Sequence, residues 1–260
     1  MGILEELFGL SGKVVLITGA SKGLGEAYAL GLAEAGCDVA LFARSDTSDL
    51  KQQIEDKFGK RAISIRGDVS IEEDAKRAVG ETIEKLGAID ILIANAGITG
   101  TPVPVHMEDA DRWKRVMAVD IDGTFFFCKQ ALKEMINKKG GKIITTSSMW
   151  GITACSQFPA AAYCTAKGAI INFTRELAKQ YAEYGITVNC IAPGYFKTEV
   201  TDRAYHNPDV YKACVEDKNN LLHKVGEPHD LVGAIIFLAS KASDMMTGQV
   251  LIVDQGCVSM

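Results

Sequence analysis

The chain has 260 residues, 47% hydrophobic and 23% charged, with a net charge of −5 and a sequence pI of about 5.5. That is enough apolar material for a large core, and the acidic balance leaves no electrostatic footprint for nucleic acid. No apolar run reaches the ~18 residues needed to cross a bilayer. Residues 1–10 lack the basic start of a signal peptide, and the seven scattered cysteines show no metal-ligand spacing and fit reduced thiols. A soluble cytoplasmic chain with no metal, membrane or nucleic-acid partner is expected.

In chain order, the first short β-branched run, 14–18, leads directly into Thr18-Gly19-Ala20-Ser21-Lys22-Gly23-Leu24-Gly25 and a helical pattern over 25–35. Glycines between a buried strand and a helix let backbone amides approach a pyrophosphate, and the helix N-terminus favours its charge. A purely structural turn is the bland alternative. The second run, 39–43, ends at Ala43-Arg44, about 20 residues past the glycines. An acid at Ala43 would bond the ribose 2′-hydroxyl of NAD. Arg44, with Lys22 as a second cation, suits a 2′-phosphate instead, so NADP(H) is expected over NAD(H).

The third run, 62–66, is followed by Asp68-Val69 and a helix over 71–86, which Asp68 could alternatively cap. The fourth, 89–94, ends at Asn95-Ala96-Gly97. Then come a long helix over 112–137, a fifth strand over 142–146, a helix over 161–184, a sixth strand over 187–191, a helix over 229–239 and a last strand over 250–253. Continuous apolar runs are strands buried on both faces, and parallel strands need helical crossovers. The fold expected is α/β: a doubly wound, Rossmann-type three-layer sandwich around a seven-stranded parallel sheet. No linker divides residues 1–260, so one domain is expected, with 198–228 as a helical lid over the strand ends.

Ligands of such sheets sit at the carboxyl ends of the strands. Ser148, after the fifth strand, falls there. Tyr163 and Lys167, four apart in a helix, share one face. A phenol with a reference pKa near 10 is a poor base at neutral pH, and a neighbouring ammonium lowers it. Ser148 could hold a substrate oxygen while Tyr163 exchanges a proton with it. Taken alone, a Tyr/Lys pair at this spacing is more often a packing contact.

From about residue 10 to residue 256 the chain resembles the short-chain dehydrogenase/reductase family. The match is carried by Thr18–Gly25, Asp68-Val69, Asn95-Ala96-Gly97, Ser148, Tyr163-x-x-x-Lys167, and Pro193-Gly194 with Thr198. The resemblance implies an NADP(H)- or NAD(H)-dependent enzyme interconverting a secondary alcohol and a ketone. It makes Tyr163 the acid/base, and it has Lys167 lower the Tyr163 pKa and bind the nicotinamide ribose. Ser148 positions the substrate oxygen, and the residues from Pro193 and Gly194 to Thr198 contact the carboxamide. Ser148 is preferred over Ser147 because it begins the family's Ser-x-x-Gly pattern. Asp120 stands where the family usually has an Asn that supports a water-mediated proton relay, and Ala94 stands where a first Asn is common.

Residues 149–162 line one wall of the substrate cleft in this resemblance, with Trp150 and Gln157 as substrate contacts. That stretch and the motif pattern are similar to the gluconate 5-dehydrogenases and the sorbose and mannitol reductases of the family. The expected substrate is therefore a small molecule: a sugar, sugar acid or polyol. The runner-up is a larger apolar ketone, a steroid or 3-oxoacyl group. A dinucleotide-sensing protein without turnover is the rival of another class, with Asp120 as its only support. The resemblance also implies a homotetramer, or a dimer, formed through the helix over 112–137 and through residues 246–256.

Overall fold

Seven apolar runs become seven strands: β1 (Val14–Thr18), β2 (Asp38–Ala43), β3 (Ala62–Arg66), β4 (Ile91–Ala94), β5 (Gly141–Thr146), β6 (Ile186–Pro193) and β7 (Val250–Val253). In this computed structural model, which describes residues 2–198, 207–216 and 219–259, they form one sheet in the order β3-β2-β1-β4-β5-β6-β7. Every neighbouring pair is parallel. Val15 on the central strand pairs with Val39 on one side and Ile91 on the other.

The described helices are α1 (Ile3–Phe8), α2 (Gly23–Glu34), α3 (Ser48–Phe58), α4 (Glu72–Leu86), α5 (Ala110–Met117), α6 (Gly123–Lys138), α7 (Ala161–Tyr181), α8 (Pro208–Glu216) and α9 (Val232–Ala239). Alternation along each strand feeds two cores. Val15 and Ile17 of β1 pack with Tyr28 and Leu32 of α2 and Ile235 of α9. Val14 and Leu16 point the other way, towards Val79 of α4, Phe127 of α6 and Leu177 of α7. Each fully buried aliphatic side chain contributes about 1.5–3 kcal/mol. Both faces are thus covered, which is why the strands read as unbroken apolar runs.

Three local departures from the expected elements have physical causes. α2 begins two residues early, at Gly23, so the glycine loop itself forms the first turn. α3 has no counterpart among the expected helices, because only Leu50 and Ile54 of its polar sequence are buried. The expected helix over 112–137 is two α-helices joined by a π-helical turn, Ala118–Asp122, in which the Gly123 N–H reaches back to the Ala118 carbonyl. That extra residue per turn directs Val119 and Asp120 into the molecule, and π turns often sit at functional sites. The aromatic run on α6 divides: Phe127 is buried against Phe42, with ring centroids 4.8 Å apart, whereas Phe125 is exposed.

Within the expected lid, α8 and the residues from 219 onward are described, while 199–206 and 217–218 lie outside the described residues. No described helix is long and apolar enough to cross a membrane.

Candidate active site

The strand order reverses between β1 and β4, which is where an open α/β sheet leaves a crevice at its carboxyl edge. A cavity of about 430 Å³ lies there. The glycine loop contributes Gly19, Ser21, Lys22, Gly23 and Leu24, and the end of β2 contributes Arg44. Asp68 and Val69 line it after β3, and Asn95, Ala96 and Gly97 after β4. Tyr163 and Lys167 reach it from α7; Pro193, Gly194 and Thr198 close the far side.

The sequence builds this cradle by tying the loops together. Asn95 N–H and Ala96 N–H both donate to Thr18 Oγ1 at 3.0 Å, and the Asn95 amide donates to the Thr18 carbonyl at 3.1 Å. Gly19 has φ +68°, and a Cβ there would stand 2.9 Å from Ala96 Cα, so only glycine lets the two loops meet. Asp68 does not cap α4, whose N-cap position is Ile71 and which has no side-chain cap bond. Its carboxylate accepts from Ser70 N–H at 2.9 Å and pairs with Arg115 at 2.8 Å. Burial would raise the Asp68 pKa, but Arg115 and the Ser70 bonds prevail and hold it down at about 2. Arg44 is exposed at the cavity rim, beside Ala43 and with no acid at that strand end.

Deeper in, Ser147, Ser148, Tyr163 and Lys167 share one wall. The two serines differ in use. Ser147 donates to the Lys167 carbonyl at 2.7 Å and so braces α7. Ser148 accepts from Trp150 N–H at 3.2 Å, and its hydroxyl, which shares the wall with Tyr163, favours the Tyr163 phenolate. Lys167 is buried, with Nζ 5.5 Å from the centroid of the Tyr163 ring. It donates to the Thr146 carbonyl at 3.1 Å and faces Asp120 Oδ2 at 3.1 Å. Burial works against the ammonium, yet Asp120 and Tyr163 outweigh it and raise the Lys167 pKa.

Tyr163 differs from the sequence expectation. Its pKa is raised: burial is the largest cause, Lys167 and Ser148 lower it, and Asp120 and Cys164 raise it. The lysine acts in the expected direction, but in this buried setting it does not prevail.

Asp120, Trp150 and Gln157 are not on the cavity wall. Asp120 lies behind Lys167. Trp150 meets Phe158, Tyr163 and Tyr195 edge-on, with centroids 5.2, 6.3 and 6.3 Å apart. Gln157 uses both ends of its amide within the protein, donating to Tyr195 Oη at 2.7 Å and accepting from Cys214 Sγ at 3.3 Å. Sequence reasoning missed Thr146, Cys214 and Arg115, and the contacts that Tyr195, inside the 193–198 stretch, makes with Trp150 and Gln157. Thr146 adjoins a recognised motif and was within reach; Cys214 and Arg115 carry no local signal. The cavity fits a dinucleotide: Gly19 lets the loops after β1 and β4 close up into a cradle with no Cβ between them, and one buried wall hydroxyl, Thr146 Oγ1, has no hydrogen-bond partner among the described residues.

A doubly wound sheet with this cleft defines a nucleotide-binding α/β protein of the Rossmann type. Residues 19–258 match the family described as enoyl-(acyl carrier protein) reductase. The chain is 36% identical over 256 residues to a 2-dehydro-3-deoxy-D-gluconate 5-dehydrogenase of Formosa agariphila, covering 98% of this chain and 96% of that one. It is 35% identical over 254 residues to a sorbose reductase of Candida albicans, covering 96% and 89%. A gluconate 5-dehydrogenase from Burkholderia cenocepacia, solved in complex with NADP and tartrate, superposes with a TM-score of 0.91 at 34% identity, covering 100% of both chains. The chain belongs to the short-chain dehydrogenase/reductase family, oxidoreductases that act on alcohols and ketones.

Proposed function

We propose that this protein is an NADP(H)-dependent oxidoreductase that interconverts a secondary alcohol and a ketone on a sugar, sugar acid or polyol. The observation that carries the reading is the convergence of Ser148, Tyr163 and Lys167 on the wall of the cavity that the glycine loop opens. The glycine loop and the α2 N-terminus would hold the pyrophosphate, with Asp68, Val69 and Asn95 to Gly97 along its length. Arg44 and Lys22 would hold the 2′-phosphate. Lys167 would hold the nicotinamide ribose, and Pro193, Gly194 and Thr198 the carboxamide.

The nicotinamide, when bound, supplies or accepts the hydride. In the reductive direction Tyr163 gives its proton to the carbonyl oxygen as that oxygen gains charge, and Ser148 donates a hydrogen bond to the same atom. In the oxidative direction the Tyr163 phenolate takes the hydroxyl proton. The buried Lys167 ammonium limits the cost of the phenolate.

The relatives' activities support a sugar-like substrate. In the same reading α8, the described helix of the expected lid, covers the substrate side, resting on Met149 and Tyr195 through Cys214. Cytoplasmic residence and a homotetramer belong to it too; Phe125 on α6 and Ile252 on β7, at the two faces assigned to assembly, are exposed.

The test is Tyr163→Phe. Turnover is expected to fall at least about a thousandfold, within the span of a lost general acid, while NADPH affinity stays within about twofold. Wild-type turnover in that variant would remove Tyr163 as the proton donor. NADPH binding without turnover in the wild-type protein, on any ketone, would favour a sensing role.

A further inference from the structure

The Asp120 carboxylate is fully buried in the π-helical turn between α5 and α6. Each oxygen has a separate task. Oδ1 accepts from Ile98 N–H at 2.8 Å, which anchors the loop after β4. Oδ2 forms an ion pair with Lys167 Nζ at 3.1 Å and accepts no hydrogen bond among the described residues. Gly97 covers the pair, and a Cβ there would lie 2.9 Å from both Oδ2 and Nζ. The backbone is therefore shaped to bring a carboxylate and an ammonium into contact directly behind the Tyr163 phenol.

A lone buried ammonium stabilises a neighbouring phenolate strongly, because its field is poorly screened. An ammonium tied to a carboxylate presents a dipole, and its field falls off faster. A neutral amide in the place of Asp120 could satisfy Ile98 N–H through its oxygen but would leave the lysine charge uncompensated. The carboxylate is the chemical difference.

We propose that Asp120 is a positioning residue which, by holding the Lys167 ammonium in an ion pair, keeps Tyr163 in its proton-donating form through the neutral and mildly alkaline range. The proposal rests on the reading of Tyr163 as the acid/base. The groups facing the phenol bear it out in kind: Lys167 and Cys164 from α7, Asp120 from the π turn, Ser148 from the loop after β5, and Cys190 of β6 behind Lys167. Of these, Asp120 and Cys164 favour the protonated phenol, and Lys167 and Ser148 the phenolate, over a large contribution from burial. The same ion pair keeps Lys167 charged to higher pH, so the arrangement persists as the solution turns alkaline.

The test is an ultraviolet tyrosinate titration of the protein without added cofactor. The Tyr163 signal is isolated by subtracting the Tyr163→Phe variant, and the experiment is repeated in an Asp120→Asn background. In the wild-type protein Tyr163 is expected to ionise above the ordinary tyrosine value of about 10. In Asp120→Asn it is expected to ionise about one pH unit lower, a roughly tenfold weaker hold on the proton. The pH profile of kcat/KM for ketone reduction should move with it, its alkaline limb falling about one unit earlier in Asp120→Asn.

An unchanged titration in Asp120→Asn overturns the proposal. So does ionisation of wild-type Tyr163 at or below the ordinary value, which needs no variant at position 120 to fold. Failure of the acid/base reading is distinct: Tyr163→Phe would then keep its turnover whatever the titration showed.

Discussion

Arg44 ends β2 at the rim of the cavity, and nothing at Ala43 competes for a ribose hydroxyl. A guanidinium forks onto a phosphate through charge-assisted hydrogen bonds, and it has no such partner on NAD(H). Arg44→Ala should therefore weaken NADPH binding by about tenfold or more, in line with one lost charged hydrogen bond, and leave NADH binding nearly unchanged. Titration calorimetry with both cofactors checks this, and equal losses would detach Arg44 from the 2′-phosphate. Such residues were legible because strand ends in this topology have fixed duties. Arg44, Asp68, Asn95 and Ser148 each follow a run whose apolar pattern marks where the strand stops. What Tyr163 experiences was not legible. The sequence placed a lysine one turn away, but burial and the Asp120 charge come from chain segments that only the fold brings together.

The π-helical turn at Ala118–Asp122 shows the same limit at the scale of an element. Apolar periodicity over 112–137 reads as one helix, because a single inserted residue shifts the pattern too little to break it. The insertion nonetheless aims Asp120 inward, and the loop after β4 closes over it at Gly97. Gly97→Ala should force the Asp120–Lys167 pair apart or push the loop outward. The expected cost is about 1–3 kcal/mol in urea unfolding, the usual range for overpacking a close contact, with a drop in NADPH turnover larger than the stability loss explains. Wild-type stability and turnover together would mean that the close approach at Gly97 is incidental. By contrast the strands were plain in the sequence, since burial on both faces leaves each as a short apolar run between polar loops. α3 was not plain, because two buried positions in a polar helix give almost no stripe.

At the scale of the whole molecule, the order β3-β2-β1-β4-β5-β6-β7 puts the reversal of strand direction of travel next to β1. Every recognised motif then falls on one edge of the sheet, although the motifs are spread from Gly19 to Thr198. That convergence is what lifts separately weak signals, a glycine trio or a Tyr/Lys pair, into one site. The substrate wall is less legible: Trp150 and Gln157 lie near it, but their contacts with Tyr195 and Cys214 depend on how α8 and the turn after β6 pack. The central claim is that this edge carries out NADP(H)-dependent carbonyl chemistry on sugar-like compounds. Its most direct test follows the loss of reduced-nicotinamide absorbance with NADPH and with NADH, against ketohexoses, keto-sugar acids, a diketone, a 3-oxoacyl thioester and oxosteroids. The account predicts turnover with NADPH in preference to NADH, on the ketohexoses or keto-sugar acids. Turnover confined to the thioester or the steroids, or with NADH alone, would contradict it.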